Sequence, residues 1–451
     1  MTEEKIAAIV LAAGMGTRMQ SDRPKVMHPL AGRPMIAHLL GTLAELAPAY
    51  TAVVVGPGME EVAQAVAPHP VVIQTDRLGT GHAVAQAKDL LDGFDGTVLV
   101  LYGDTPLITR ATLEAMLDCR RRYPHPTVVV LGFRPPDGGE YGRLLMGPHG
   151  LEAIVEYRDA TPDQRAVPLC NSGVMAVDGR HLFDLAGRLG TANAKGEYYL
   201  TDIVALAANG GAHCGVVEGS AEELLGINSR AELAAAEAVV QSRLRSAAMA
   251  GGATLIDPAT VYFAWDTALG RDVTIGPSVV FGPGVSVGDR VEIRPFCHLE
   301  AVTIAADAVI GPFARLRPGA RIGEGAHVGN FVEIKNAAVE AGAKVNHLTY
   351  IGDARIGAGA NVGAGTITCN YDGFTKSFTD IGAGAFIGSN SALVAPVTVG
   401  DGAIVGAGSV VTKDVTAGAL AVARGSQLEL PGWADRFRAR KRAEKAAKKD
   451  P

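Results

Sequence analysis

The sequence is short of aromatic residues, of paired cysteines and of long apolar runs. Phe, Trp and Tyr make up 5% of its 451 residues. The five cysteines are scattered and form no CxxC pair, so neither a disulfide framework nor a zinc site is indicated. No apolar run approaches the roughly 20 residues of a membrane span. The first residues, MTEEK, are acidic and no apolar signal segment follows them. We therefore expect a cytoplasmic protein without a membrane partner.

Charge of one sign is also not in excess. The formal net charge is −6, which gives no reason to expect a nucleic-acid partner. The exception is the C-terminal stretch 431–451, which is basic, rich in alanine and without an apolar face. From this composition we expect a solvated, disordered tail.

Glycine is abundant, at 56 residues, and much of it belongs to a six-residue repeat. An aliphatic or aromatic residue recurs every six positions, with one single-residue slip and an interruption before position 381. The members are Ile275, Phe281, Val287, Ile293, Leu299, Ile304, Ile310, Leu316, Ile322, Val328 and Ile334, then Ile381, Ile387, Leu393, Val399, Val405 and Val411. A period of six fits a β-helix of short strands joined by glycine-containing turns. The spacing also resembles the hexapeptide repeats of left-handed β-helix acyltransferases, and the left hand is implied only by that resemblance.

The N-terminal half has a different pattern, in which buried strands alternate with helices. Apolar runs at 5–11, 51–55, 70–74 and 98–102 predict parallel strands, and 82–91 predicts a helix between two of them. This alternation favours a doubly wound, Rossmann-like α/β domain, in which ligands bind beyond the carboxyl ends of the strands. We place this domain at 1–228 and the β-helix domain at 251–430.

The loop after the first strand, AAGMGTRM, is typical of a phosphate cradle, because its glycines expose backbone N–H groups. It lacks the third glycine of the dinucleotide fingerprint and the GK[ST] of a Walker loop. Two cations, Arg18 and Lys25, could neutralise phosphate charge, although both could equally be solvated surface residues. Asp104 directly follows the strand at 98–102. It is placed either to hold Mg²⁺ beside a triphosphate or to cap the next helix.

The segment 229–250 begins with a capping box, Ser229 to Glu232, and continues as an alanine-rich helical pattern. We interpret it as a helical linker between the domains. It could also be the last helix of the first domain.

Two cations replace glycine in the repeat, Arg317 and Lys335, which are 18 residues apart. If one coil takes three hexads, they lie one above the other on the same edge, which favours an anionic ligand. The alternative is that each pairs with a carboxylate such as Glu333. His347 follows where the hexad breaks, at 346–350, and a polar loop interrupts the repeat from Cys369 to Asp380. A histidine there suits general-base chemistry, although a lone histidine is more often a structural residue.

Several motifs together resemble the sugar-nucleotide pyrophosphorylases. They are LAAGMGTRM with the Pro-Lys pair at 24–25, QTDRLGTGHA at 74–83, LYGDTPL at 101–107, YGR at 141–143, IVE at 154–156, CNSG at 170–173, GEYYLTD at 196–202 and GINS at 226–229. In this order, and followed by a β-helix, they are similar to the bifunctional N-acetylglucosamine-1-phosphate uridyltransferase / glucosamine-1-phosphate acetyltransferase family. The resemblance spans roughly positions 5 to 425.

The resemblance implies two reactions and assigns residues to each. Acetyl-CoA would acetylate glucosamine-1-phosphate, and UTP with Mg²⁺ would convert the product to UDP-N-acetylglucosamine and pyrophosphate. Such an enzyme feeds the synthesis of bacterial peptidoglycan and lipopolysaccharide precursors. The family also implies a homotrimer with the acetyl-transfer site between subunits.

For uridylyl transfer the matching positions are Leu11, Ala12, Ala13, Gly14, Lys25, Gln74, Gly79, Thr80, Tyr102, Gly103 and Asp104 around the nucleotide, and Gly142, Glu156 and Asn171 around the sugar. Asp104 and Asn228 would bind Mg²⁺, with Arg18 and Lys25 as catalytic cations. For acetyl transfer His347 would be the base. Arg317, Lys335, Tyr350, Asn361, Asn370 and Tyr371 would bind the sugar phosphate, and Ala364, Ser389, Ala407 and Arg424 would bind acetyl-CoA.

Two other interpretations stay open from the residues. The chain could be a pyrophosphorylase alone, with the β-helix a trimerisation scaffold. A zinc β-helix enzyme of the carbonic anhydrase type would need His298, His327 and His347 as ligands, but their spacing is too loose to support it.

Overall fold

A computed structural model describes residues 5–136 and 138–447 of the chain. The chain divides into two compact units. The first comprises Met1–Ala247 with Phe263–Trp265, and the second comprises Ala248–Tyr262 with Asp266–Pro451. Within the described residues, no helix is both long and apolar enough to span a bilayer.

The first unit is an α/β domain around one mixed sheet. Its main strands run in the spatial order Cys214–Glu218, Val128–Phe133, Cys170–Asp178, Thr97–Tyr102, Ile6–Leu11, Tyr50–Val55 and Val71–Ile73. Cys170–Asp178 is antiparallel to both of its neighbours, and the other strands of this series pair in parallel. Arg143–Gly147 and Gly150–Val155 form a hairpin attached to this sheet, and Pro29–Leu30 pairs with Arg33–Pro34.

Apolar clusters lie on both faces of this sheet, and helices contribute to each of them. The helices are Met35–Ala44, Glu60–Ala65, Thr80–Ala85, Lys88–Leu91, Arg110–Arg121, Pro162–Arg165, Gly179–Gly187, Asp202–Asn209, Ala221–Leu224 and Arg230–Ala250, with short 3-10 turns at Thr17–Met19 and Lys25–Met27. Arg230–Ala250 packs against a third, smaller cluster that contains Leu30 and Ile227. Alternate residues of the first strand enter opposite cores: Ile9 packs into one apolar cluster and Val10 into the other. This two-sided burial explains why the strand is a continuous apolar run.

The second unit is a parallel β-helix. Its strands begin at Thr254–Leu255 and Ala268–Leu269. They continue as Thr274–Ile275, Val280–Phe281, Ser286–Val287, Glu292–Ile293, His298–Leu299, Thr303–Ile304, Val309–Ile310, Arg315–Leu316, Arg321–Ile322, His327–Asn330, Glu333–Val339, Lys344–His347, Tyr350–Ile356, Asn361–Val362, Ile367–Cys369, Thr379–Ile381, Phe386–Ile387, Ala392–Val394, Val397–Val399, Ile404–Val405, Val410–Val411 and Leu420–Ala421. A 3-10 turn at Pro258–Thr260 and a helix at Trp433–Ala447 complete the unit.

The register confirms that one coil takes three hexads. Ile275 lies opposite Ile293, 18 positions on, and Ile293 lies opposite Ile310, where the single-residue slip shortens the coil to 17. The repeat residues are at most 4% exposed and stack into one narrow core. Each hexad therefore contributes one side chain to an interior that only stacking can bury.

Two local expectations are wrong. The segment 82–91 is two helices, Thr80–Ala85 and Lys88–Leu91, in place of one. The core repeat does not break at 346–350, because Val345 and Ile351 are six apart and both fully buried. The single-residue steps fall on either side, from Ile334 to Val339 and from Ile351 to Ile356. His347 ends the strand Lys344–His347, and the residues after it return to the core at Ile351 without a change of register.

The C-terminal stretch also differs from the expected disorder. Trp433–Ala447 form an exposed helix, in which Trp433 stacks on Phe437 and Glu444 pairs with Lys441. Alanine and arginine favour helix strongly, and ion pairs one turn apart add to that preference. Residues 448–451 of the predicted tail lie outside the described residues.

Candidate active sites

The first site is a cleft at the carboxyl ends of two neighbouring strands. Leu11 and Tyr102 are register partners at the ends of Ile6–Leu11 and Thr97–Tyr102, so the two following loops meet there. The backbone N–H of Gly103 donates to Leu11 O at 2.9 Å and holds the loops together. The cleft is lined by Leu11, Ala12, Ala13, Gly14, Lys25, Val26, Gln74, Arg77, Gly79, Thr80, Ala83, Tyr102, Asp104 and Glu197. Ten of the eleven positions assigned to the nucleotide therefore line one cleft. The eleventh, Gly103, is not part of the lining and contributes the hydrogen bond to Leu11.

Lys25 is the lysine that lines this cleft. Its Nζ forms an ion pair with Asp104 and donates to Asn228 Oδ1 at 2.9 Å. The stem of Lys25 passes beside Gly16, where an added Cβ would come within 2.6 Å of Lys25 Cβ. Gly16 has φ +70, so glycine is needed there for the turn and for the close approach of the lysine.

The same contacts show that Asp104 and Asn228 fit a cation. Two oxygens from distant parts of the chain converge on one point, which the ammonium of Lys25 occupies. Carboxylate and amide oxygens suit Mg²⁺, which commonly binds proteins through one or two such groups and completes its shell with phosphates and water. The capping box positions Asn228, because Glu232 accepts a hydrogen bond from the Asn228 N–H at 2.7 Å. Asp104 does not cap a helix; the next N-cap is Thr109.

The positions assigned to the sugar lie beside the nucleotide positions, in an adjoining pocket. Gly142, Glu156 and Asn171 line it together with Thr80 and Tyr102, which border both pockets. The Asn171 N–H donates to Gly142 O at 2.8 Å, and Glu156 accepts from Thr201 Oγ1 at 3.2 Å. Burial raises the pKa of Glu156 above its ordinary value, against the opposing hydrogen bond from Thr201. Burial likewise raises the pKa of Tyr102, which stays a neutral hydrogen-bonding phenol.

Arg18 does not line the nucleotide cleft. It is exposed and lines a wide pocket with Glu156, Lys195, Tyr199 and Asn228. Lys195, Tyr199 and, in the nucleotide pocket, Arg77 were not assigned from the sequence. All three lie inside or next to the motifs quoted above, but no signal in the sequence separates them from the other residues there.

The second site is on one edge of the β-helix. Leu316 and Ile334 are register partners, and Arg317 N donates to Ile334 O at 2.8 Å, which places Arg317 one coil from Lys335 as the 18-residue spacing predicted. Arg317 also pairs with Glu333 at 2.8 Å, so the alternative of a carboxylate partner holds for this residue. The ammonium of Lys376, followed by burial and Arg317, lowers the pKa of Lys335. Arg317, Lys335 and Lys376 thus place three positive charges close together on this edge.

Lys376 was missed in the sequence. It lies in the loop that interrupts the repeat, and an isolated bridge between Tyr371 and Lys376 returns this loop toward the coil. The polar insertion is visible in the sequence, but nothing in a single sequence shows that its lysine folds back beside Lys335.

His347 ends the strand Lys344–His347 and is exposed. Its Nδ1 lies 2.8 Å from Asn330 Oδ1, and the two residues are register partners on neighbouring coils. A carbonyl oxygen at this distance favours the tautomer with the proton on Nδ1, which leaves the lone pair of Nε2 free to accept a proton. Asn330 is a second residue that the sequence did not reveal.

The positions assigned to acetyl-CoA form a column that continues from His347. Gly365 N donates to His347 O, Asn390 N to Ala364 O and Gly408 N to Ser389 O. Arg424 Nη1 then reaches Ala407 O. Ala364, Ser389, Ala407 and Arg424 thus occupy the same corner of successive coils, an arrangement that their irregular spacing in the sequence conceals.

The remaining positions lie in neighbouring strands and in the loop that interrupts the repeat. Tyr350 is the register partner of Glu333, and its hydroxyl lies near Gly352 and the Asn370 amide. Tyr371 follows in the exposed loop, where its hydroxyl donates to Gly373 O at 2.6 Å. Asn361 is the register partner of Lys344, in the strand that leads to His347.

Metal chemistry of the carbonic anhydrase type is not supported. Among the described residues no group of three or more His, Cys, Asp or Glu side chains could hold a metal ion.

Comparison with known proteins gives one consistent result. The family model described as "MobA-like NTP transferase domain" matches residues 8–167, and "Bacterial transferase hexapeptide (six repeats)" matches 266–301, 301–336 and 378–413. The bifunctional protein GlmU of Paramagnetospirillum magneticum is 71% identical over 448 residues, which are 99% of this chain and 100% of its own. The protein of the same name from Rhodospirillum rubrum is 68% identical over 438 residues, 97% of this chain and 98% of its own. That from Sphingopyxis alaskensis is 56% identical over 443 residues, 98% of both chains.

Proposed function

The chain belongs to the family of the bifunctional GlmU proteins and is a bifunctional transferase, and from that premise we propose which residues carry each of its two reactions. The first unit transfers a uridylyl group from UTP to a sugar 1-phosphate, and the left-handed β-helix transfers an acetyl group from acetyl-CoA to an amino sugar phosphate. A scaffold without activity does not account for the cations and the histidine on the β-helix.

For uridylyl transfer we assign the nucleotide to the cleft at Leu11–Gly14 and the sugar to the pocket at Gly142, Glu156 and Asn171. An oxygen of the sugar 1-phosphate attacks the α-phosphorus of UTP, the bond to the β-phosphate breaks and pyrophosphate leaves. No protein nucleophile is needed, so the rate comes from positioning and charge neutralisation. Lys25 supplies positive charge within the cleft, and Arg18 supplies it from the wide pocket that it lines with Glu156 and Asn228.

We assign Mg²⁺ to Asp104 and Asn228. When bound there, the ion would neutralise phosphate charge and orient the triphosphate. The observation that supports this assignment is the convergence of both oxygens on the Lys25 ammonium.

For acetyl transfer we assign glucosamine-1-phosphate to the edge that carries Arg317, Lys335 and Lys376, whose charges suit a phosphate. The neutral amine attacks the thioester carbon of acetyl-CoA, the carbon–nitrogen bond forms, and the carbon–sulfur bond breaks. His347 Nε2 takes the proton of the amine and passes it to the departing thiolate. A positioned base of this kind contributes roughly 10²–10⁴-fold. The column from His347 to Arg424 is the observation that carries this half.

We further propose that the chain assembles as a homotrimer through one corner of the β-helix. Phe296, Phe313 and Phe331 stack there with ring centroids 4.8 and 5.1 Å apart, and each ring is about half exposed. Leu348 continues the corner next to His347 and is 63% exposed. A continuous apolar ridge of this kind marks a protein interface. A second copy packed on it would border the acetyl-transfer site.

Phe313→Ser should test this assembly, because it places a hydroxyl in the middle of the ridge. We expect light scattering to give a trimer for the native chain and smaller species for F313S. Phe374→Ser, which changes a 93% exposed phenylalanine in the loop, is the matched control and should leave the mass unchanged. A native monomer, or an F313S trimer of undiminished stability, would contradict the proposal.

The cytosol stays the proposed compartment. All five cysteines carry thiols outside any disulfide, and two of them, Cys119 and Cys369, are only partly buried. Free thiols of this kind persist best where the surroundings are reducing.

One assay tests the two reactions together. Glucosamine-1-phosphate, acetyl-CoA, UTP and Mg²⁺ are supplied to the purified chain, and free thiol and pyrophosphate are measured. Omitting acetyl-CoA should abolish both signals, because the uridylyl step needs the acetylated product. Supplying N-acetylglucosamine-1-phosphate should then restore pyrophosphate alone. Pyrophosphate without thiol release under the full mixture would favour a pyrophosphorylase with an inert β-helix.

A further inference from the structure

Asp353 is a buried carboxylate that none of the roles above uses. It lies in the strand Tyr350–Ile356, is 8% exposed and has φ +46. This left-handed conformation is uncommon outside glycine and turns the side chain out of the regular strand direction. A buried charge in a strained position needs a compensating arrangement around it.

Two amide groups provide that arrangement. Asn336 Nδ2, one coil away, donates to Asp353 Oδ1 at 2.6 Å. Asn370 Nδ2, at the base of the loop that carries Tyr371 and Lys376, donates to Asp353 Oδ2. Burial alone would raise the pKa of Asp353, but these two hydrogen bonds, with the nearby ammonium groups, hold it below its ordinary value. Asp353 is therefore ionised at neutral pH.

An ionised carboxylate can only accept hydrogen bonds, and this decides the orientation of Asn370. The NH2 group of the Asn370 amide must face Asp353, so its carbonyl oxygen Oδ1 lies on the other side. Asn370 is only 7% exposed, and the Ser377 N–H binds its backbone carbonyl at 2.9 Å, which restricts the residue further.

The orientation matters because of what surrounds Asn370. A Cβ added at Gly352 would lie 2.4 Å from Tyr350 Oη and 2.8 Å from Asn370 Nδ2, so both side chains converge over this glycine. Gly352 is also the register partner of Lys335. The amide of Asn370 therefore sits among the residues to which acetyl transfer is assigned.

We propose that Asp353 is a positioning residue for acetyl transfer, which locks Asn370 so that it offers a hydrogen-bond acceptor to an N–H group of the bound substrates. Two substrates carry such a group, the amine of the sugar phosphate and the amide of the pantetheine arm of acetyl-CoA. The inference rests on the proposed acetyl transfer and adds a determinant that does not itself touch the reacting atoms.

Asp353→Asn tests the inference with almost no change of shape. The new asparagine has one carbonyl oxygen, so it can accept a hydrogen bond from only one of its neighbours, Asn336 or Asn370. Its own NH2 group then faces the NH2 group of the other neighbour. If that other is Asn370, its amide flips or shifts. Leaving a buried donor unpaired lowers kcat/KM for acetyl transfer by about tenfold to hundredfold. The KM that rises, for the sugar phosphate or for acetyl-CoA, identifies the N–H group that Asn370 accepts.

Three comparisons separate positioning from a general loss of structure. Asp401→Asn removes another carboxylate that links neighbouring coils, where Asp401 Oδ1 accepts from the Ala383 N–H at 2.7 Å, and should leave both activities unchanged. Uridylyl transfer by D353N should also equal that of the native chain. The double variant D353N/N370D restores a complete chain of donors and acceptors from Asn336 to position 370, with an acceptor still facing the site. We expect it to recover at least tenfold of the lost kcat/KM.

The results that overturn the inference are distinct from those that overturn the proposed function. A native kcat/KM in D353N would contradict the positioning role. So would a double variant D353N/N370D that regains the native melting temperature but not the lost kcat/KM. If the native chain releases no thiol from acetyl-CoA, the acetyl-transfer assignment and this inference fall together.

Discussion

At the scale of single residues, both sites depend on side chains that neighbouring residues hold in one orientation. Lys25 is held by Asp104 and Asn228, His347 by Asn330, and Asn370 by Asp353. Lys25, His347 and Asn370 each lie in a motif or a break of the repeat that the sequence shows. Of the residues that orient them, Asp104 and Asn228 also lie in motifs, but Asn330 and Asp353 have no distinguishing signal in a single sequence. The holders come from another coil, or from the far side of the chain, so only the fold brings the pair together.

The Lys25 contacts predict a competition between the lysine and a divalent ion. The ammonium of Lys25 occupies the point on which Asp104 and Asn228 converge. In the absence of nucleotide, the ammonium has no phosphate to bind instead, so a metal ion must displace it from these two oxygens. Lys25→Met should therefore bind Mn²⁺, a spectroscopic substitute for Mg²⁺, more tightly than the native chain without nucleotide, as measured by electron paramagnetic resonance. Lys88→Met, a change on a distant helix, should behave as the native chain does. Weaker Mn²⁺ binding by K25M would show that the lysine does not occupy the metal position.

The contact between His347 and Asn330 predicts an effect through the imidazole tautomer. Asn330→Leu removes the acceptor for Nδ1–H at nearly constant volume, so the ring is free to rotate and to place its proton on Nε2. We expect kcat for acetyl transfer to fall about tenfold, since the loss of one hydrogen bond of ordinary strength corresponds to roughly that factor. Uridylyl transfer should not change. His327→Ala, which removes an exposed histidine one coil from Lys344, is the control, and an equal loss in H327A would point to general damage of the coil.

At the scale of elements, the close stacking of coils sets what the β-helix tolerates. A Cβ at Gly329 would lie 2.0 Å from the backbone oxygen of Asn346, next to both Asn330 and His347. Gly329→Ala must push these two coils apart, so we expect a loss of acetyl transfer together with a lower melting temperature. Gly325→Ala, where no atom lies within 4 Å but φ is +62, should cost only the 1–2 kcal/mol of a left-handed alanine. Equal effects in the two variants would contradict a steric role for Gly329.

The sheet of the first unit depends on a buried ion pair whose strength varies with pH. Arg120 Nη2 lies 3.2 Å from Asp178 Oδ2 and joins the helix Arg110–Arg121 to the strand Cys170–Asp178. Burial opposes ionisation, but hydrogen bonds and charge from Arg180 and Arg120 hold the pKa of Asp178 below its ordinary value. A lowered carboxyl pKa stabilises the fold above the unfolded pKa of about 4, and this contribution is lost as the pH falls toward the folded value.

Asp178→Asn measures that contribution. The amide retains an N-cap for the helix Gly179–Gly187 but carries no charge. The difference in free energy of unfolding between the native chain and D178N should be constant from neutral pH to about pH 5 and should shrink below pH 4. A difference that stays constant through the acid range would mean that the ionised carboxylate adds nothing.

Sequence patterns gave most of the elements because their physical causes are local. The hexad fixes the β-helix because every coil must bury its own aliphatic residue, and the apolar run of the first strand fixes a two-sided sheet. The patterns failed where the cause is distant. The core register at His347 is unbroken because Val345 and Ile351 face inward. The residues between them, at 346–350, do not follow the usual composition of the repeat and conceal this continuity. The helix Trp433–Ala447 has no apolar face that would indicate it in the sequence. It forms through the strong local helix propensity of its alanine and arginine residues.

At the scale of the whole molecule, the chain combines two sites that share no residue. The nucleotide cleft lies entirely in the first unit and the His347 site entirely in the second. The order of the chemistry links them, since acetylation must precede uridylyl transfer. We therefore expect each activity to survive the loss of the other when the substrate of the remaining reaction is supplied.

The most direct measurement of this central claim compares two single variants in both assays. His347→Ala should lose acetyl transfer by 10²-fold or more and keep native pyrophosphate release from UTP and N-acetylglucosamine-1-phosphate. Asp104→Asn should lose uridylyl transfer and keep native thiol release from acetyl-CoA and glucosamine-1-phosphate. A mixture of the two variants should again convert glucosamine-1-phosphate to UDP-N-acetylglucosamine. Loss of both activities in either variant, or failure of the mixture, would contradict two independent sites on one chain.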